Sequence, residues 1–469
     1  MRTFFLLAVL LCSACSKSFS QLRLPAVISS GMVLQQSDSV TFWGWGYNGQ
    51  QVKIIGSWNN TPATGTISNI GKWRFKVKTP AAGGPYTVRI SSGGNEIILS
   101  DVMVGEVWVC SGQSNMEWSY GNGAAHIKDE FPTCYNPNIR FFQIPRSAAD
   151  YPQDDLRAEW KVCDSNSLKT FSAVGYFFGK KLQKDLNIPI GLINSSWGGT
   201  PAETWTPADN IYSDNVLKTA AASLQEVPWG PIRPGLLYNG MIAPITNFNI
   251  AGVIWYQGEA NVGTNSTYSL LLTTMIDSWR NKWKKEFPFY LVQIAPFKYG
   301  NRNVGALLME QQTKTMRHPN TGMVVITDLI DSVTNIHPSD KTQVGARLAN
   351  WALAQTYHKN PGSYISPWFQ RAEISKDKIM LSFNDAPNGL VSKDKTITGF
   401  YISGDNEKWL PAEAKIEKDK IIVWNKELKQ PTQVRYGFGN TIIGNVFSTE
   451  GLPLTPFRTD NWTVDQGSE

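Results

Sequence analysis

The sequence predicts an α/β fold with a mainly parallel, three-layer sheet and flanking antiparallel β domains. Two observations predict it. From about residue 105 onward, short apolar runs at 107–110, 190–194, 253–256, 290–294 and 324–327 alternate with helical stretches. Strand, helix, strand at that spacing builds a parallel sheet covered on both faces. On either side the period drops to two, most clearly in Lys72-Trp-Arg-Phe-Lys-Val-Lys78, where Trp73, Phe75 and Val77 share one face and the basic residues the other.

In order along the chain, residues 1–20 carry Arg2, an apolar run and then small residues, the pattern of a cleaved signal peptide. Export is therefore expected. Lipoprotein anchoring at Cys15 is the weaker reading, because Cys12 stands where an aliphatic residue belongs. No later stretch reaches the roughly 20 apolar residues of a membrane helix. Residues 21–101 read as an N-terminal β domain, with further alternating runs at 40–45, 52–58 and 86–90. Gly65 and Gly71-Lys72 do not form a phosphate loop, since the spacing is one residue too long and Trp73 replaces the Ser/Thr that binds magnesium. Residues 102–360 form the α/β domain, with Val174, Phe177, Phe178 and Leu182 on one helical stripe and Val344, Leu348, Trp351 and Leu353 on another. Residues 361–469 return to period two, a closing β region.

Composition narrows the function classes. The chain has 469 residues, 42% of them hydrophobic, enough for two or three domains. Its 18 Trp and 12% aromatics fit sugar-stacking surfaces and β-rich cores alike, the core reading preferred. Once Arg2 and Lys17 leave with the leader, 42 basic residues face 38 acidic ones, so the net charge of +4 gives no nucleic-acid footprint. Cys110 lies in an apolar strand, which leaves Cys134 and Cys163 as a possible disulfide in an oxidising compartment. Spacing alone does not give the connectivity.

The polar motifs follow the apolar runs. Gly112-Gln-Ser-Asn115, Trp197-Gly-Gly-Thr200, Gln257-Gly-Glu-Ala-Asn261 and Asn335-Ile-His-Pro338 each stand beyond the carboxyl end of an expected strand, the edge on which open α/β sheets bind ligands. Any one of them alone is an ordinary loop; four on one edge suggest a site. Asn115-Met116 after the serine excludes the G-x-S-x-G elbow of α/β-hydrolases. Ser114 is the candidate nucleophile. Of the four histidines, His126 and His358 lie on polar loop or helix-end stretches and His318 precedes the last strand, which leaves His337 as base. Oxyanion donors are expected at the backbone of Ser114 and Gly199 and at a side-chain amide of Gln257 or Asn261. These parts perform acyl transfer. No H-E-x-x-H or cysteine-rich cluster points to a metal, and the chemistry needs no cofactor.

These motifs, V-W-V-C-S-G-Q-S-N-M-E with F-S-A-V-G-Y-F-F-G-K-K-L, P-I-G-L-I-N-S-S-W-G-G-T-P-A-E-T-W, L-Y-N-G-M-I-A-P, W-Y-Q-G-E-A-N and I-H-P-S-D-K with G-A-R-L-A, resemble those of the sialate O-acetylesterases of the SGNH hydrolase superfamily. The resemblance spans about residues 102–358. It implies a flavodoxin-like fold, an exported carbohydrate O-acetylesterase with Ser114 as nucleophile and His337 as base, and an O-acetylated sugar or glycan as substrate. Acetylxylan esterases have similar motifs, so the bond is better defined than the sugar. Many members carry an aspartate two or three residues before the histidine, whereas Thr334 and Asn335 stand here. The ring is then oriented by a backbone carbonyl near Thr334, or by a carboxylate from elsewhere, with Asp328 and Asp331 nearest in sequence. A sialic acid carboxylate calls for an arginine, with Arg233, Arg302 and Arg347 as candidates.

Two other classes compete. A non-catalytic carbohydrate-binding protein fits the β domains and the missing acid, and a glycosidase would use paired carboxylates such as Glu117 and Glu259. Oligomeric state is not readable.

Overall fold

The computed structural model describes residues 22–300 and 303–464. The expected leader with Cys15, and Arg302, lie outside the described residues. The central sheet contains β1 (Asn95–Gly112), β2 (Asn136–Gln143), β3 (Trp160–Cys163), β4 (Ile190–Ser196), β5 (Gly252–Tyr256), β6 (Phe289–Val292) and β7 (Thr321–Val324). Their order across the sheet is β7-β6-β5-β1-β4-β2-β3, with every neighbouring pair parallel except β2 and β3. The winding reverses beside β1, so a crevice opens beyond the carboxyl ends of β1 and β5.

Alternation along each strand makes the layers. Val109, Ile193, Val253, Trp255, Phe289 and Leu291 point to one face, against Leu271, Met275 and Trp279 of the helix Tyr268–Trp283 and Leu308 of Val304–Thr315. Trp108, Cys110, Leu192, Ile254, Tyr256 and Tyr290 point to the other, against Val174, Phe178 and Leu182 of Ala173–Leu186 and Val344 and Leu348 of Lys341–Trp351. The helix Ala173–Leu186 begins where Ser172 Oγ accepts the Gly175 N–H at 3.0 Å and stops at Asn187 in the left-handed region. Fully burying each such aliphatic side chain contributes about 1.5–3 kcal/mol. Leu353, expected on the last helical stripe, is buried in the wider turn Ala352–Thr356 that follows it.

Three local expectations change. The runs expected at 290–294 and 324–327 leave the ladder early, because Ile294 N–H turns to Gln312 Oε1 at 2.9 Å and the Val325 carbonyl accepts from Arg347 at 2.7 Å. Strands β2 and β3 close one edge of the sheet without having been anticipated. Cys134 and Cys163 are free thiols in place of the possible disulfide, the Cys163 Sγ donating to the Cys134 carbonyl at 3.1 Å.

The N-terminal β region is continuous with the central sheet. The first half of β1 pairs antiparallel with Gly83–Ser92 and its second half runs through the centre of the parallel sheet, so residue 102 lies inside one strand. Val40, Phe42, Trp73 and Val88 share a core with Val109 and Trp255. The C-terminal strands instead enclose their own core, with Leu381, Phe400, Val423, Val434 and Phe457. Among the described residues, no helix is long and apolar enough to cross a membrane.

Candidate active site

The site begins at the end of β1. Gly112 adopts φ +134, and a Cβ there would stand 2.2 Å from the Tyr256 carbonyl oxygen, so only glycine lets the chain turn so close to β5. Gln113 N–H donates to that carbonyl at 3.0 Å, and the Gln113 Oε1 accepts from Ala260 N–H at 3.2 Å. The turn then enters the short helix Ser114–Glu117, which presents Ser114 at the mouth of the crevice.

Ser114 Oγ lies 2.9 Å from His337 Nε2, across a sequence separation of 223 residues. The imidazole stacks on Trp118, with ring centroids 4.2 Å apart and planes 25° apart. Burial, and secondarily the Lys341 ammonium, hold the His337 pKa down to about 4. Among the described residues, none hydrogen-bonds His337 Nδ1. Asn335 Oδ1 accepts the His337 backbone N–H at 3.0 Å and so holds the loop, while Thr334 Oγ1 bonds Ser332 Oγ at 2.8 Å. Asp331 accepts from Ser339 N and Oγ at 2.8 and 2.5 Å. Asp328 forms a two-pronged pair with Arg347 at 2.6 and 2.8 Å, both side chains mostly buried. Neither aspartate reaches the imidazole.

Ser114 and His337 line a cavity of about 690 Å³ with Trp118, Gly199, Trp229 and Ile336. Gly199 adopts φ +73, and a Cβ there would meet the Trp229 ring at 2.2 Å. The preceding Gly198 N–H donates to Glu117 Oε2 at 2.9 Å, and the Glu117 carboxylate holds Arg146 at 2.6 and 2.7 Å. Arg146 is the one cation among the described residues that line the cavity. Arg233 pairs with Asp150 on the surface and Arg347 with Asp328, so neither faces the crevice.

Gln257 and Asn261 stand behind the wall of the cavity. Both are 0% exposed. Gln257 Nε2 donates to Asn261 Oδ1 at 2.8 Å and the Thr200 carbonyl at 3.2 Å, and Asn261 Nδ2 to Glu203 Oε2 at 2.8 Å and Thr264 Oγ1 at 3.2 Å. Their amides brace the Gly199 and Glu259 loops from behind. Glu259 reaches the cavity edge and accepts from Asn115 Nδ2 at 2.6 Å, its pKa raised chiefly by burial. Glu117 and Glu259 are thus both bound to neighbours. The other histidines lie elsewhere, with His318 bonded to Asp277 at 2.7 Å.

Sequence reasoning did not single out Trp118 and Arg146, and it gave no separate role to Asn115 and Lys341 within their motifs. Trp118 was signalled by its spacing of one helical turn from Ser114, Asn115 by its place in Gly112-Gln-Ser-Asn115 and Lys341 by its place in I-H-P-S-D-K, while Arg146 is brought in by tertiary packing.

The model of the carbohydrate esterase, sialic acid-specific acetylesterase family matches residues 104–354. The human sialate O-acetylesterase is 29% identical over 429 residues, covering 83% of this chain and 82% of that protein. The mouse sialate O-acetylesterase is 27% identical over 454 residues, with 83% and 84% covered. Among solved structures, a carbohydrate acetylesterase from Xanthomonas citri superposes with a TM-score of 0.85 at 35% identity, covering 94% of this chain and 100% of that one.

Proposed function

The chain belongs to the carbohydrate esterase family of sialic acid-specific acetylesterases and is a carboxylic ester hydrolase; from that premise, we propose that it removes O-acetyl groups from sialic acid with Ser114 as nucleophile and His337 as general base. The observation that carries the proposal is the 2.9 Å contact between Ser114 Oγ and His337 Nε2 at the mouth of a cavity on the carboxyl edge of the sheet.

In this scheme neutral His337 carries its ring proton on Nδ1 and takes the Ser114 proton on Nε2 as Oγ attacks the acetyl carbonyl. The tetrahedral oxyanion is met by the backbone N–H groups of Ser114 and Gly199. The first belongs to the opening turn of a helix and has no acceptor within it. Loss of one such donor typically costs about 10²–10³ in kcat. His337 then returns its proton to the departing sugar oxygen. A water activated by the same imidazole cleaves the acetyl-enzyme, releasing acetate and freeing Ser114. Gln257 and Asn261 serve as supports of this hole, since their amide donors are already engaged. We also propose export, supported by the order of charged, apolar and small residues in 1–20.

A second reading, a neutral acetylated polysaccharide, is favoured by the Arg146–Glu117 pair. The cation that lines the cavity among the described residues is already matched by a carboxylate, while Trp229, 57% exposed, offers a face on which neutral sugar rings stack. Acetate release from an O-acetylated sialoside and from an acetylated neutral polysaccharide, measured side by side with wild-type protein and with Ser114→Ala, tests both. Higher kcat/KM on the sialoside supports the first reading; higher kcat/KM on the neutral polymer replaces it with the second. Release by the variant at the wild-type rate overturns the site itself.

A further inference from the structure

Asn115, next to the proposed nucleophile, is the hub of a buried polar cluster that the reaction scheme does not use. Its Oδ1 accepts from Lys341 Nζ at 2.6 Å, and its Nδ2 donates to Glu259 Oε1 at 2.6 Å and to the Ile336 carbonyl at 3.0 Å. Asn115 and Lys341 are both 0% exposed. The ammonium also lies 5.7 Å from the Trp118 ring centroid and 5.3 Å from that of Tyr256. Among the described residues, Asn115 is the one hydrogen-bond acceptor of the Lys341 ammonium, and burying an ammonium with so little compensation is costly to the fold. Its presence calls for a role.

We propose that Lys341 is a positioning residue of the esterase, which through Asn115 clamps the His337 loop against the Ser114 turn in place of a triad carboxylate. The proposal rests on the Ser114–His337 reading. Asn115 follows Ser114 and Ile336 precedes His337, so the bond from Asn115 Nδ2 to the Ile336 carbonyl ties nucleophile and base together through a single amide. An ammonium on the amide oxygen and a carboxylate on its nitrogen polarise that amide in the same sense, which strengthens its hold on Ile336.

The charge also has a chemical effect. The titratable and charged groups facing His337 are Ser114 and Glu117 on the helix after β1, the latter paired with Arg146; Glu259 beyond β5; Lys341 at the start of the last helix; and Asp331 on its own loop, bound to Ser339. A triad carboxylate raises the pKa of its histidine, whereas Lys341 adds to burial in lowering this one. Burial draws Lys341 itself down to about 7, so it is charged throughout the acidic range in which His337 titrates. The base therefore stays neutral at pH values that protonate an acid-assisted histidine.

The test compares Lys341→Gln, neutral and still a donor to Asn115, with Lys341→Arg, which keeps the charge, and with Ser114→Ala as control. Turnover of a chromogenic acetyl ester is followed against pH, and the His337 imidazole is titrated by NMR. Lys341→Gln is expected to move the acidic limb and the NMR titration upward by roughly half a unit to one unit, and to lower kcat about tenfold with KM nearly unchanged. Lys341→Arg is expected to bring the limb back toward that of the wild type. If Lys341→Gln does not fold, Asn115→Ala, which cuts the clamp directly, should still lower kcat about tenfold with KM nearly unchanged. Wild-type kcat and pH profile in Lys341→Gln, or wild-type kcat in Asn115→Ala, with Ser114→Ala inactive, overturn the clamp and leave the dyad standing. An active Ser114→Ala overturns both.

Discussion

Trp118 stacks on His337, with ring centroids 4.2 Å apart and planes inclined by 25°. Trp118 is one helical turn beyond Ser114, so one short segment supplies both the proposed nucleophile and the surface that fixes the plane of the proposed base. Stacked pairs of this kind contribute about 0.5–1.5 kcal/mol beyond their buried area. Trp118→Leu is therefore expected to lower kcat several-fold to about tenfold, and Trp118→Phe much less. Steady-state kinetics on both variants checks this, and equal losses would assign Trp118 to packing alone.

The two upstream aspartates separate stability from turnover. Asp328 is locked onto Arg347 away from the imidazole. Removing one partner of such a buried pair costs about 3–5 kcal/mol, so Asp328→Asn should lower the Tm clearly while the folded fraction keeps kcat within a few-fold. Asp331→Asn, which loosens Ser339 and Asn335, is expected to cost only a few-fold in kcat. A triad aspartate behaves otherwise, its replacement by asparagine costing about 10⁴ in a serine protease. Thermal unfolding together with kcat on each variant decides between these outcomes.

The pH dependence follows from His337. Its folded pKa of about 4 lies below the ordinary 6.5, so the proposed base stays neutral well into the acidic range, and activity is expected to persist there. The acidic limb of kcat/KM should fall near pH 4 rather than near 6.5. The same shift acts on stability. Because the folded pKa is depressed, the unfolded chain binds more protons in this window, so the contribution of His337 is full above pH 6.5 and is lost as pH falls toward 4. Wild-type Tm should accordingly fall more steeply over that interval than the Tm of His337→Gln.

Fold and site were legible to different depths. The α/β class could be read because apolar runs buried on both faces of a parallel sheet stay apolar along their length, as in β5, whereas Trp73 and Val77 alternate with exposed lysines and arginine in a half-covered strand. The short edge strand β3, with only Trp160 and Cys163 buried, carries too little pattern to stand out. Ser114 and His337 could be singled out because each follows an apolar run in a polar motif. Their surroundings could not. Lys341 ends the I-H-P-S-D-K motif, but nothing in that motif names its partner, which folding brings within 2.6 Å at Asn115, 226 residues away. Gln257 and Asn261 read equally well as donors or as supports, and only their hydrogen bonds to Thr200 and Glu203 show where their amides are spent.

The most direct test of the account is to trap the nucleophile. A reactive fluorophosphonate incubated with the folded protein, followed by proteolysis and mass mapping, should label the peptide containing Ser114 and abolish acetyl-ester turnover in proportion. Ser114→Ala, folded by circular dichroism, should take up no label and show no turnover. Labelling at another residue, or acetyl-ester hydrolysis by Ser114→Ala near the wild-type rate, would contradict the assignment of Ser114 and with it the whole site.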